Sequence, residues 1–278
     1  MSSLSNSTQD IDIRNPELWT LVIRLDETSL KFILYCEEEE NSLISRELYL
    51  DDKAGDYLKA LENCVYDNPV LIQDYKQVAV SVHSSRFVIL PAEAGDEDTM
   101  LDIMDYMYAD DNCDSVQCDL EGGKTSVAFS VPRGVVAFLQ RTFNMPKIVH
   151  SLVPLCLYSA KKSEKSGITK MYAHVCNDCL DVCVFRKGEL MLANTFKLRD
   201  VEEASFYLLN VWQSLGLDVM TDELQLSADK SVRDVLTPQL RKYITYVMPI
   251  IFPASAVKIG QDAMKAPFDL ILLSQCVL

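Results

Sequence analysis

Apolar and polar residues alternate in short blocks along the chain, and the first blocks predict strands. Three apolar runs with short polar breaks predict a three-stranded meander: LWTLVIRL, SLKFILYC and LISRELYL, at 18–25, 29–36 and 43–50. Apolar residues at helical spacing predict a helix at 56–68, and KQVAVSV at 76–82 has the composition of a buried strand. The chain therefore begins with the order β-β-β-α-β.

A more acidic group of blocks follows this unit. The stretch 93–112 carries methionines at helical spacing and predicts a helix. Residues 115–131 predict a hairpin with a Gly-Gly turn, and Pro132 is typical of the first turn of a helix. We expect an inserted acidic subdomain at about 93–130.

The second half of the chain repeats the order of the first. Residues 171–198 predict another three-stranded meander, and an amphipathic helix, a strand and a further helix follow within 201–244. Shifting the halves by 150 residues places Leu30 on Leu180, with a polar hairpin tip at the same place in both copies. The pattern therefore indicates an internal duplication of a β-β-β-α-β-α unit.

This duplicated unit resembles the actin-like ATPase superfamily, in which two ribonuclease-H-like lobes clamp a nucleotide. Three segments carry the resemblance: QVAVSVHSSRFVILPAEAGDEDTMLDIM, TSVAFSVPRGVVAFLQRTFNMPKIVHSLVPLCLYSA and LDVCVFRKGELM. They are similar to the type IV pilus inner-membrane assembly family and the bacterial cell-division actin homologues, and the chain also resembles an uncharacterised bacterial family with this fold. The resemblance implies an α/β protein of actin-like ATPase fold, with two ribonuclease-H-like lobes that each have a mixed sheet flanked by helices.

The resemblance also implies a division into lobes. We expect a flexible N-terminal tail at 1–15, a first actin-like lobe at 16–165 that includes the acidic subdomain, and a second lobe at 166–278. The two predicted hairpin tips, at 26–29 and 176–179, then occupy equivalent positions in the two lobes.

The chain departs from the superfamily where nucleotide would bind. Members that bind nucleotide carry Asp-x-Gly at each phosphate hairpin, because the aspartate holds the hydrated metal and the glycine lets backbone N–H groups approach phosphate. The first hairpin has Arg24-Leu25-Asp26, or Asp26-Glu27-Thr28 in a shifted frame, and the second has His174-Val175-Cys176. None of these contains the glycine, so we expect a degenerate ATPase without catalytic activity and without a bound cofactor.

A nucleotide-binding or weakly ATP-hydrolysing protein that uses ATP and Mg²⁺ is the alternative. Its binding residues would have to come from polar groups at the hairpin tips. These candidates are Asp26, Thr28, Ser29, Lys31, Asn177, Asp178 and Asp181.

The stretch HVCNDCLDVC supports a second alternative, a metal or redox protein. With a two-residue turn at 177–178, Cys176 pairs with Cys179 and His174 pairs with Asp181. Side chains alternate along strands, so these four side chains lie on one face of the hairpin. There they could bind a zinc ion together, or the cysteines could form a reactive thiol site. The spacing matches no recognised zinc motif, and a mixed face of small thiols explains the same residues.

Composition limits the class of partner. The chain has 278 residues, 49% hydrophobic, and a net charge of −15, which repels nucleic acid and anionic membranes. We see no signal peptide and no apolar run of membrane-spanning length, and the nine irregularly spaced cysteines are typical of reduced thiols. We therefore expect a cytoplasmic, non-catalytic actin-like scaffold or adaptor that binds an unidentified protein, without nucleic acid and without membrane insertion.

Overall fold

The computed structural model divides the chain into two compact units. Unit 1 comprises Met1–Ser151 and Pro253–Leu278, and unit 2 comprises Leu152–Phe252. The structure describes Thr8 and residues 11–93, 96–108, 112–120, 122–176, 178–253, 256, 261–264 and 266–276. Most of the predicted tail and Asn177 lie outside these described residues.

The main elements of unit 1 are β1 Trp19–Leu25, β2 Ser29–Cys36, β3 Ile44–Tyr49, α1 Tyr57–Tyr66, β4 Gln77–Val82, α3 Val135–Thr142, β8 Lys147–His150 and α7 Phe268–Cys276. Its strands form a five-stranded mixed sheet in the order β3-β2-β1-β4-β8, in which β1 runs antiparallel to β2 and parallel to β4. Both faces of β1 are buried, which explains its continuous apolar sequence. One face shares a core with α1 and α3, and α7 packs on β1 and β4.

A second sheet is inserted into unit 1 between β4 and α3. Its strands are β5 Phe87–Pro91, β6 Cys113–Asp119 and β7 Thr125–Pro132, and α2 Glu97–Tyr108 precedes β6. Met100 and Met104 of α2 are buried against Ala128 of β7, so these methionines form the core of the insertion. Pro132 ends β7 and does not begin a helix as expected; Gly134, with φ 82°, is the N-cap of α3.

The elements of unit 2 are α4 Leu152–Ser163, β9 Thr169–Cys176, β10 Cys179–Arg186, β11 Glu189–Lys197, α5 Glu202–Ser214, β12 Glu223–Ser227, α6 Lys230–Leu240 and β13 Tyr246–Pro249. Its strands repeat the five-stranded sheet of unit 1, in the order β11-β10-β9-β12-β13. One sheet face shares a core with α5 and α6, whereas α4 packs on β9, β10 and β11.

The strand register confirms the duplication. Leu25 pairs with Leu30 in unit 1, and Val175 pairs with Leu180 in unit 2, so the two hairpins match at the predicted shift of 150 residues. The two sheets also have the same strand order and the same change from antiparallel to parallel pairing. The two units are therefore structural copies of one another.

The bounds of the compact units differ from the predicted lobes at two places. Residues 152–165 fall in unit 2, and 253–278 fall in unit 1. The reason is the apolar surface of α4 and α7, which these helices bury against the sheets of those units. The described part of the predicted tail is packed, since Ile13 lies in the unit 1 core and Thr8 hydrogen-bonds Asn68.

Among the described residues, no helix combines the length and apolar character that crossing a membrane requires.

We expect two cysteines of unit 1 to make the folded chain less stable at alkaline pH. Burial raises the pKa of both Cys64 and Cys118 to about 11. An unfolded thiol ionises near pH 8.5, so the folded chain holds protons that the unfolded chain has lost. The free energy of unfolding should therefore be unaffected below that pH and should fall as pH rises toward 11.

Urea unfolding midpoints measured across this range test the expectation. The double variant Cys64→Ala, Cys118→Ala should lose part of the alkaline fall, although both substitutions also lower the midpoint at neutral pH. Identical pH slopes for the variant and the wild type would contradict the assignment.

Candidate functional site

The turn between β1 and β2 in unit 1 is built around a buried arginine. Residues two apart on a strand share a face, so Arg24 and Asp26 lie on the same side of the sheet. Arg24 Nε donates to Asp26 Oδ1 at 2.8 Å, and Arg24 Nη1 donates to Asp269 Oδ2 at 2.8 Å. Arg24 is 0% exposed, and Asp26 and Asp269 are 9% and 7% exposed. The turn therefore carries an ion triad that is almost entirely removed from water.

The charge balance of the triad depends on α7 as well as on the arginine. Asp269 lies in the first turn of α7, where the helix macrodipole favours a carboxylate. Tyr57 Oη donates to the carbonyl of Asp26 at 3.1 Å, and burial together with the Asp26 carboxylate raises the pKa of Tyr57. Tyr57 thus stays a proton donor at neutral pH.

The other predicted residues of this turn lie outside the ion triad. Lys31 is buried and forms an ion pair with Glu47 at 3.7 Å. Thr28 is exposed, and its carbonyl accepts from the N–H of Leu50. Ser29 is 1% exposed, and its hydroxyl has no hydrogen-bond partner in the part of the chain that the structure describes. The first turn is thus held together mainly by charges within the protein.

The turn between β9 and β10 in unit 2 has the register that the sequence predicts. Cys176 pairs with Cys179, and His174 pairs with Asp181. The Nδ1 atom of His174 lies 3.1 Å from Ser227 Oγ, and Thr195 Oγ1 donates to Asp181 Oδ1 at 2.6 Å. All four paired residues are buried.

These four residues form two pairs of potential ligands. A ligand atom of His174 lies within 4.8 Å of Cys176 Sγ, and a carboxylate oxygen of Asp181 lies within 4.8 Å of Cys179 Sγ. In the described ranges, no three of the four have all their ligand atoms within that distance of one another. Asp178 is exposed at the tip and lies 3.9 Å from Lys197. The metal alternative for His174, Cys176, Cys179 and Asp181 therefore stays a prediction.

The face that carries the cysteines packs against α4. Cys183 Sγ donates to Ser159 Oγ at 3.3 Å, and the rings of Tyr172 and Tyr158 meet edge to face at 6.2 Å. Thiols at these positions act as small packing groups with weak hydrogen bonds. The structure therefore gives Cys183 and Tyr172 a packing role against α4.

Arg24 organises the first turn, but the sequence identified it only as part of a degenerate phosphate-binding motif. A charged side chain near the end of the apolar run LWTLVIRL requires a buried partner, and the apolar helix around FDLILLSQC carries a single carboxylate. The sequence thus indicates that Arg24 and Asp269 each need a buried partner, but it does not pair them with each other.

A model of one protein family matches residues 8–247, which is most of the chain. The chain belongs to the DUF3822 family. This family is described as proteins of unknown function, so membership classifies the chain without assigning an activity. No curated protein is a match to this DUF3822 chain.

Two solved structures place the DUF3822 chain among actin-like proteins. A Bacteroides thetaiotaomicron protein of actin-like ATPase fold and unknown function is 26% identical, with a TM-score of 0.76 and coverage of 94% of this chain and 98% of that chain. The PilM–PilN type IV pilus biogenesis complex contains a chain that is 10% identical, with a TM-score of 0.56 and coverage of 94% and 98%. Together with the two copies of the mixed sheet, these similarities confirm the actin-like ATPase fold and the resemblance to the pilus-assembly branch.

Proposed function

We propose that this DUF3822 chain is a non-catalytic actin-like module that binds another protein and works without bound ATP or Mg²⁺. The observation that carries the proposal is the ion triad of Arg24, Asp26 and Asp269. The cytoplasmic location and the exclusion of nucleic acid expected from the composition are parts of the same proposal.

The triad supports a nucleotide-free role because it uses the carboxylate that a metal would need. Asp26 is the only aspartate at the first hairpin tip, and a guanidinium nitrogen already lies 2.8 Å from its Oδ1 atom. A magnesium ion bound there would place a second cation beside a buried arginine. Releasing Arg24 instead would leave a buried charge without its ion pairs, which is costly.

The backbone of the turns gives a second line of support. Neither turn has a glycine, and the N–H of Asp26 donates to the carbonyl of Ser29 at 2.9 Å. That N–H is therefore engaged within the hairpin. A phosphate cradle needs N–H groups that point outward from a turn that phosphate can approach closely.

The binding part of the proposal is supported by structural similarity and by surface chemistry. The PilM–PilN neighbour is a complex of two proteins, so a chain of this fold can serve as a protein partner. Large apolar side chains are also exposed on the described surface, including Phe206 and Ile251. Such residues are typical of recognition surfaces where they cluster.

Thermal unfolding with ATP or ADP and Mg²⁺ tests the nucleotide part. A ligand at 100 times its Kd adds about 2.7 kcal/mol and should raise Tm by roughly 5–10 °C. We expect no rise for the wild type. An actin-like protein known to bind ATP serves as the positive control for the assay.

Two substitutions at the first turn separate a structural role from a ligand-binding role. Ser29→Ala should change Tm little without nucleotide, because the hydroxyl has no partner among the described residues. Asp26→Asn should lower Tm strongly, because it weakens the buried ion pair of Arg24. A nucleotide-dependent rise in wild-type Tm that Ser29→Ala abolishes would overturn the proposal.

A further inference from the structure

Unit 2 carries a groove between α6 and β13 that none of the preceding roles uses. Its volume is about 710 Å³, within the usual range for a binding site. The groove is lined by Leu226, Lys230, Arg233, Asp234, Thr237, Pro238, Arg241 and Pro249.

The groove is basic in a strongly acidic protein. Three of its lining residues are cations and one is an aspartate, whereas the whole chain has a net charge of −15. Lys230 pairs with Asp234 at 2.7 Å, and both side chains are exposed. Arg233 is half-buried, and its guanidinium has no hydrogen-bond or ion-pair partner within the described ranges. Arg233 is therefore the cation best placed to meet an anionic group.

The floor and walls of the groove are partly apolar. Leu226, Pro238 and Pro249 contribute hydrocarbon surface between the cations. Pro238 lies inside α6 and has no N–H, so it cannot donate to the carbonyl four residues earlier, at Asp234. The groove thus offers both cations and apolar surface.

The edge of β13 is closed to strand addition. Its pairing with β12 is parallel, and β13 is the last strand of the sheet. The carbonyl of Val247 accepts from Arg241 Nη2 at 2.9 Å, and Pro249 has no N–H to offer. Capped carbonyls and proline are features that protect edge strands, so a partner would be recognised by its side chains.

We propose that this groove binds an acidic segment of a partner protein, in which carboxylates alternate with apolar side chains. The proposal rests on the protein-binding role proposed above and names the chemistry of the partner. One carboxylate meets Arg233, and the apolar side chains contact the Pro238 and Pro249 surface. Charge complementarity favours this occupant, because the cations of the groove attract anions locally on a chain with a net charge of −15.

A small polyanion fits the groove less well than an acidic polypeptide. Arg241 is already engaged with the Val247 carbonyl and Lys230 with Asp234, so the cations do not converge on one point. Exposed apolar residues next to the groove in sequence, Met248 and Ile251, also favour a partner that brings hydrocarbon surface.

Fluorescence anisotropy with the full chain tests the proposal. The probe is a fluorescein-labelled peptide that alternates glutamate or aspartate with leucine, and its control has lysine at every acidic position. We expect the acidic probe to bind, the lysine probe not to bind, and the affinity to weaken as salt rises. Arg233→Glu and the milder Arg233→Gln should weaken binding by about tenfold or more.

Arg14→Glu is the matched control, because it makes the same charge change at an exposed residue of unit 1. It should leave the affinity within about twofold, since Arg14 does not line the groove. Circular dichroism and Tm confirm that each variant is folded. Equal losses for Arg14→Glu and Arg233→Glu would show a bulk charge effect and overturn the proposal.

Three further outcomes decide against the partner named here. Competition by pyrophosphate as strong as that by unlabelled peptide would assign the groove to a small anion. Self-association in sedimentation experiments that Arg233→Glu abolishes would assign it to a second copy of the chain. No binding of the acidic probe at low salt would refute the proposal that the groove binds an acidic segment. A rise in Tm with ATP would refute only the proposed nucleotide-free role.

Discussion

Replacing Arg24 by methionine should lower the free energy of unfolding by about 3–5 kcal/mol, because it leaves two buried carboxylates without their common partner. Methionine fills a similar volume, so the loss reports charge and not a cavity. Urea unfolding followed by circular dichroism measures the change. If Arg24 were a ligand-binding residue held in an open site, its removal would leave stability nearly unchanged.

A triple variant provides the matched control for this loss. Arg24→Met combined with Asp26→Asn and Asp269→Asn removes all three charges together, and we expect it to recover much of the lost stability. Lys31→Met makes the same type of change at the partly exposed pair with Glu47 and should cost less. A triple variant no more stable than Arg24→Met would show that packing and not charge determines the loss.

Truncation of the chain after Ala266 should prevent unit 1 from folding. Residues 270–273 of α7 are all 0% exposed, and each buried aliphatic side chain contributes about 1.5–3 kcal/mol. Their combined loss is comparable to the whole stability of a typical domain, about 5–15 kcal/mol. Hydrogen exchange should show rapid exchange in β1 and β4, with protection retained in β9 and β10 of unit 2.

Point variants in α7 distinguish lost packing from an effect of truncation itself. Leu272→Ala should lower stability by about 2–5 kcal/mol, because the residue is fully buried. Gln275→Ala, at a half-buried polar position of the same helix, should change it by less than about 0.5 kcal/mol. Protected β1 and β4 amides in the truncated chain would contradict the assignment of α7 to unit 1.

The strands, their register and their buried faces could be predicted because they depend on local alternation. A strand has a period of two residues, so fixing the turn after Cys176 also fixes which residues share a face with His174. The same alternation, applied to both halves, revealed the shift of 150 residues. A few neighbouring residues are therefore enough to specify these features.

The lobe bounds and the triad could not be predicted in the same way because they depend on distant contacts. The apolar surface of α4 and α7 shows that these helices are buried, but it does not show which sheet they cover. Arg24 and Asp269 are separated by 245 residues, and no local pattern pairs them. The groove beside α6 likewise depends on how Pro238 and Pro249 meet in space.

The return of the C-terminal helix to the first sheet has a consequence for synthesis on the ribosome. At about 5–20 residues per second, the codon for Asp269 is reached roughly 12–50 s after that for Arg24. Throughout that interval the arginine lacks one of its two carboxylates, and the sheet face that α7 covers stays open. Unit 2 is translated in full during the same interval, so we expect the segment synthesised later to mature first, and nascent unit 1 to be the part that needs protection by chaperones.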